Sequence, residues 1–253
     1  MLALTDVSKT YKGKAGEVAA LSGLSLDVQR GQSVVLIGPS GCGKTTVLLL
    51  ASGLLRAEEG TVLINNEPVV KPRLSTGLIL QDYGLLPWKT VFENADLGLK
   101  IRKVPRQERL QETRQILEQV GIQGFARNYP GELSGGMRQR LALARVLTLD
   151  VDLLLMDEPL SALDLELREG LQDLLLAQWR ERGYAQVLVT HSIDEAVFLG
   201  ERIVVMSSRP GKVAAEIANP HAGDVGFRST PEFFAKATEV RNALLSTGAS
   251  DGS

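Results

Sequence analysis

Short, continuous apolar runs punctuate the chain: SVVLI at 33–37, GLIL at 77–80, DLLLM at 152–156, AQVLVT at 185–190 and RIVVM at 202–206. Strands of a parallel sheet are covered on both faces and read this way, so these five segments are expected as core strands. The earlier runs 2–7, 24–28 and 61–64 alternate more and lie near Gly and Asn, which predicts a smaller antiparallel part. Between about 90 and 148 the period is helical and the surface charged, as in KIRKVPRQERLQETRQILEQVGI and MRQRLALARVL. The charge run reads as a solvated helix face. The pattern predicts an α/β domain over 1–218, with a helical subdomain at about 88–148 inserted into its core. The tail 219–253 reads as a loop and one helix, with Ser229 or Thr230 as N-cap and Pro231 at its first position; the final STGASDGS reads as disordered.

Composition narrows the class. At 253 residues, 44% hydrophobic and 23% charged, the chain is long enough for one large domain or a core with an insertion. No apolar run approaches the roughly 18 residues that a membrane-spanning helix requires. The N-terminus shows no basic stretch followed by an apolar one, so no secretory signal is expected. The single cysteine, Cys42, has no partner for an internal disulfide and suits a reducing compartment. With 28 Lys+Arg against 30 Asp+Glu, the chain is not built to neutralise nucleic-acid phosphates, so no nucleic-acid partner is expected. A soluble intracellular protein is the expectation.

Three segments carry candidate chemistry. GPSGCGKTT comprises Gly38, Pro39, Ser40, Gly41, Cys42, Gly43, Lys44, Thr45 and Thr46, set between an apolar strand and a helical run. It satisfies G-x-x-x-x-G-K-[ST], a pattern met by chance in on the order of one chain in a hundred. Its glycines let backbone N–H groups converge, a helix start adds partial positive charge, and Lys44 adds a full one for the β- and γ-phosphates of a nucleotide. The Thr45 hydroxyl is a hard oxygen ligand suited to Mg²⁺. In VDLLLMDEP, Asp157 and Glu158 emerge at the carboxyl end of a buried strand, where α/β sheets place ligands. Asp157 can hold Mg²⁺ and Glu158 can activate a water; the bland alternative is a pair of acids closing a strand. In LSGGMRQRLALARVL, Ser134 caps a helix whose start, Gly135 and Gly136, leaves the backbone bare. That is either a second anion-binding terminus or an ordinary capped helix.

Taken in order, GPSGCGKTT, Gln81 in LILQDYG, LSGGMRQR, LLLMDEP, SALD at 161–164 and His191 in VLVTHS resemble the ATP-binding cassette ATPases over about residues 2–215. The resemblance implies a P-loop NTPase core with an antiparallel β subdomain and an inserted α-helical subdomain, and ATP with Mg²⁺ as cofactors. Residues 38–46 then form the Walker A loop. Gln81 reaches the metal and the attacking water, Asp157 is a metal ligand, Glu158 the catalytic base and His191 the γ-phosphate sensor. Ser134, Gly135, Gly136 and Asp164 act across a head-to-tail dimer. Tyr11 matches the aromatic that stacks on adenine, though a tyrosine after a strand also simply packs there. His221, in NPHAGD, reads as a loop residue.

The apolar loop LLPW at 85–88 matches the groove that receives a membrane subunit, with Trp88 either exposed there or turned into the core. The implied partners are a second copy, integral-membrane permease subunits and, indirectly, a periplasmic or lipid-anchored substrate-binding protein. The implied location is peripheral, on the cytoplasmic face of a bacterial inner membrane. QDYGLLPWKTVFENADLGL, MSSRPGKV and FRSTPEFF are similar to the nitrate/sulfonate/taurine importer subfamily. Importers of thiamine-precursor pyrimidines share much of this pattern. A non-transport cassette ATPase is the other class, but those resemble tandem cassettes or cassettes split by a long coiled coil.

Overall fold

The apolar runs become the five parallel strands of a mixed sheet, four of them inner and the 77–80 run at its edge. The computed structural model describes residues 1–13, 16–224 and 226–248. The chain opens with β1 (Leu2–Gly13), β2 (Gly16–Val28), β3 (Ser33–Ile37), α1 (Lys44–Ser52), β4 (Glu59–Ile64), β5 (Glu67–Pro68) and β6 (Thr76–Ile79). Helices α2 (Val91–Ile101), α3 (Arg106–Gln119) and α4 (Gly135–Leu147) come next. The chain closes with β7 (Leu153–Asp157), α5 (Leu165–Arg182), β8 (Ala185–Val189), α6 (Ile193–Leu199), β9 (Arg202–Met206), β10 (Val213–Ala218) and α7 (Pro231–Gly248). The larger sheet has the order β10-β9-β3-β8-β7-β6 and is parallel except for β10. The smaller, β2-β1-β4-β5, is antiparallel throughout.

Both faces of the larger sheet are covered, which is why its strands show no polar alternation. Val34, Leu36, Leu155, Val187 and Val204 pack with α1 and the smaller sheet. Val35, Ile37, Leu154, Met156, Leu188 and Ile203 pack with the helices on the other side. Helix α1 lies between the two sheets, so Val47, Leu48, Leu50 and Ala51 are all buried, and its sequence is apolar nearly all round. Each such leucine contributes about 1.5–3 kcal/mol of burial.

Limits of the expected core strands agree to within a residue, and β3 and β9 agree at both ends. The antiparallel part is larger than its sequence suggests: β1 and β2 run to the Gly13/Gly16 pair through three register shifts. Strands β5 and β10 are further additions, short or rich in Ala and Glu and therefore without an apolar run. Helix α2 is closed by a capping box between Thr90 and Glu93. At the tail the cap is Thr230, whose hydroxyl accepts from the Phe233 N–H at 3.2 Å, while Ser229 lies in a preceding 3₁₀ turn. Helix α7 continues to Gly248, so the first residues of STGASDGS are helical rather than disordered. Residues 249–253 lie outside the described residues.

Candidate functional site

Every strand of the parallel part ends at one edge, and that edge carries the candidate chemistry. In spatial order, β9 leads to Arg209, β3 to the 38–46 loop, β8 to His191, β7 to Asp157 and Glu158, and β6 to Gln81. Together they line a cavity of about 520 Å³. Tyr11, Gly38, Ser40, Gly41, Gly43, Lys44, Thr45, Thr46, Gln81, Asp157, Glu158 and His191 all reach it. Val18, Ala20, Val189 and Arg209, to which the sequence gives no role, complete the wall. Pro39 and Cys42 do not line it; the Cys42 side chain is buried under the loop, 3.7 Å from Lys44 Nζ, and only its backbone belongs to the loop's concave turn.

Close packing fixes the loop. Gly43 has φ +100°, and a Cβ there would sit 2.6 Å from Leu21 Cδ2 and 2.8 Å from the Ala20 oxygen, so no larger residue fits. Arg209 Nε donates to the Gly41 carbonyl at 3.0 Å from the turn after β9. Lys44 is buried and donates to the Gly38 and Pro39 carbonyls, each at 2.8 Å, so its charge is held inside the curl. Tyr11 is part-exposed, with its hydroxyl 3.3 Å from Thr46 Oγ1, at the rim beside Val18.

The acids divide the work by burial. Asp157 is 2% exposed and accepts a 2.7 Å hydrogen bond from Thr45 Oγ1. Burial, with the neighbouring Glu158 charge, pushes its carboxyl up, against the Thr45 hydrogen bond and the Lys44 charge. An oxygen-only pair of this kind, a buried carboxylate beside an exposed hydroxyl-bearing threonine, fits a hard divalent cation, which would relieve that burden. Glu158 is a more open residue with its Oε1 3.4 Å from His191 Nδ1. Its backbone lies at φ +49°, an uncommon region for a non-glycine residue that costs on the order of 1–3 kcal/mol.

Ser134, Gly135, Gly136 and Asp164 do not line this cavity. Ser134 Oγ accepts from the Met137 N–H at 3.3 Å and Asp164 Oδ1 from the Leu167 N–H at 3.0 Å, so both cap helices of their own chain. Two side chains of α4, buried Gln139 and half-buried Arg145, tie that helix to the cavity. Gln139 Nε2 donates to the Glu158 carbonyl at 2.9 Å. Arg145 forks onto the Tyr83 and Gly84 carbonyls, both at 2.6 Å, just past Gln81. Both lie in the LSGGMRQRLALARVL stretch, but the sequence gives neither a role, because their partners lie 19 to 62 positions away.

The 85–88 loop is tied to helix α2 by side-chain hydrogen bonds. Fully buried Asn94 accepts from the Leu86 N–H and donates to the Leu86, Lys89 and Thr90 carbonyls. Trp88 is left 70% exposed, which removes the inward-facing alternative. His221 lies in a turn, its Nδ1 3.2 Å from Asp224 Oδ2.

A phosphate-binding loop between a sheet edge and a buried helix, with its threonine bonded to a buried aspartate beside a more open glutamate, defines a P-loop ATPase. Comparison with known proteins agrees. The family described as "ABC transporter" matches residues 21–161. A taurine import ATP-binding protein of Pelagibacter ubique is 41% identical over 243 residues, covering 94% of this chain and 91% of that protein. A nitrate import ATP-binding protein of Synechocystis sp. is 37% identical, covering 96% and 94%. An aliphatic sulfonates import ATP-binding protein of Bacillus cereus is 42% identical, covering 86% of each. Among solved structures, the dimeric post-hydrolysis state of the ATP-binding cassette MJ0796, bound to ADP and Pi, superposes with a TM-score of 0.80 at 32% identity, covering 86% of this chain and 98% of that one. The chain belongs to the ABC transporter family and is an ATP-binding cassette ATPase. Among the described residues, no helix is long and apolar enough to cross a membrane.

Proposed function

We propose that this ATPase energises uptake of a small anion, of the nitrate, taurine or alkanesulfonate type, through separate membrane permease subunits. The observation that carries the chemistry is the convergence of Lys44, the Thr45–Asp157 pair, Glu158, His191 and Gln81 on one cavity. Lys44 and the loop N–H groups bind the β- and γ-phosphates, and Tyr11 covers the adenine. Thr45, Asp157 and Gln81 hold Mg²⁺, which neutralises phosphate charge when bound. Glu158 takes the proton of the attacking water, Gln81 orients that water, and His191 contacts the γ-phosphate from beside Glu158.

Ser134, Gly135, Gly136 and Asp164 complete the site of a second copy in a head-to-tail dimer. Their position off the chain's own cavity supports this, as does the dimeric state of the cassette it superposes on. The loop bearing Trp88, held by Asn94, docks the permease at the cytoplasmic face of the membrane, and a substrate-binding protein delivers the anion from the other side. Residues 1–218 form the ATPase domain and 219–253 its tail. The names of the nitrate, taurine and sulfonate relatives support the cargo class. Deleting the gene tests it. Growth fails on one of taurine, an alkanesulfonate or nitrate as sole sulfur or nitrogen source; normal growth on all three, with a defect on an unrelated nutrient, contradicts the assignment.

A further inference from the structure

Glu158 keeps its left-handed backbone because both of its peptide groups are held from outside the strand. Its N–H donates to the Val189 carbonyl at 2.9 Å, at the end of β8 beside His191. Its carbonyl accepts from Gln139 Nε2 at 2.9 Å and from Ser161 Oγ at 3.2 Å. Gln139 is fully buried in the second turn of α4, and its Oε1 accepts from the Ala162 N–H at 2.9 Å. One primary amide thus satisfies an acceptor and a donor at the two ends of the turn that follows β7. A carboxylate or an ammonium of similar reach offers only acceptors or only donors. One turn earlier, Gly136 packs so closely on this segment that an added Cβ would stand 3.3 Å from the Ala162 oxygen.

We propose that Gln139 is a positioning residue for Glu158: its amide transmits the placement of α4, and so of the Ser134 start of that helix, to the glutamate that activates water. Gln139 does not reach the cavity, so it acts through Glu158 and not on the nucleotide. The inference rests on the reading of Glu158 as base given above.

The test is a double-mutant cycle on the full chain, read as steady-state ATP hydrolysis, with nucleotide affinity measured in parallel. Gln139→Leu removes both hydrogen bonds. Gln139→Glu keeps the size and the acceptor for Ala162 but removes the donor to Glu158, and it carries the test if the leucine variant fails to fold. Each variant lowers kcat by about 10- to 100-fold, with KM and nucleotide affinity changed by less than about threefold. In a Glu158→Gln background, the same substitutions lower the residual rate by less than about twofold, since the group they position is already gone. An equal further loss in that background, or a loss confined to KM, overturns the proposal. Near-normal hydrolysis by Glu158→Gln alone overturns the base assignment and this inference together.

Discussion

The Thr45 hydroxyl donates to Asp157 Oδ2 at 2.7 Å, closing the gap between the helix after the P-loop and the strand that ends 112 residues later. The contact brings two oxygen atoms suited to Mg²⁺ to one point beside the phosphate-binding loop. Thr45→Val keeps the shape but leaves a nearly buried carboxylate without its donor. Hydrogen bonds to charged groups are worth about 1.5–3 kcal/mol, so hydrolysis falls about 10- to 150-fold and the Mg²⁺ concentration for half-maximal rate rises. A Mg²⁺ titration of ATPase activity checks this; an unshifted curve contradicts the proposed metal site.

In the proposed head-to-tail dimer, the start of α4 at Ser134 serves the other subunit. Ser134→Arg sets a bulky cation where the partner's γ-phosphate must approach, abolishing hydrolysis while each chain still binds nucleotide. Lys44→Ala instead weakens binding in the chain that carries it. Mixing the two inactive variants creates dimers with one site free of both changes, so activity returns and peaks at equal proportions. Absence of activity at every ratio is incompatible with shared sites.

Arg145 holds the segment after Gln81 by two carbonyls at once, through a planar guanidinium fork whose two-nitrogen geometry a lysine does not reproduce. Arg145→Lys speeds hydrogen exchange of the amides around 83–86 and lowers kcat more than it raises KM. Losing one charged hydrogen bond also lowers Tm, by about 2–4 °C per kcal/mol for a chain this size. Unchanged exchange at 83–86 would show that the fork does not order the loop.

The sequence exposes what is local. GPSGCGKTT and LLLMDEP each place strand, turn and ligand residues within ten positions, and their strands are apolar because both faces are covered. What stays hidden is what the fold brings from afar. Gln139 and Arg145 read as ordinary residues of a charged helix, yet each is turned inward onto another loop's backbone. Arg209 reaches Gly41 across 168 residues. Strand β10, with the pattern VAAEIA and a single buried residue at the sheet edge, offers no core signal. Trp88 is ambiguous in sequence because exposure there depends on Asn94 pinning the loop six residues later.

Glu195, 4% exposed in α6, carries a pH dependence of its own. Burial pushes its carboxyl up, opposed by hydrogen bonds from Thr190 and Gln172 and by the charges of Arg168 and His191. A raised acid is favoured neutral in the folded state, so its contribution is most favourable below the ordinary value near 4.5 and declines as pH climbs through the folded pKa. Glu195→Gln therefore gains thermal stability over the wild type as pH rises and matches it at low pH. Melting temperatures of both proteins across acid to neutral pH check the sign; a gap that narrows with rising pH contradicts it.

The central claim is that Glu158 performs the hydrolytic step in a site that binds nucleotide without it. Glu158→Gln retains the side chain's shape and hydrogen-bonding reach beside His191 but cannot accept the proton of water. The deciding measurement is the steady-state ATPase rate of this variant at saturating ATP and Mg²⁺, with bound nucleotide quantified on the same protein. The account predicts a fall of at least about 10²-fold with ATP still bound and dimers accumulating. A rate within about threefold of the wild type, with binding intact, would contradict it.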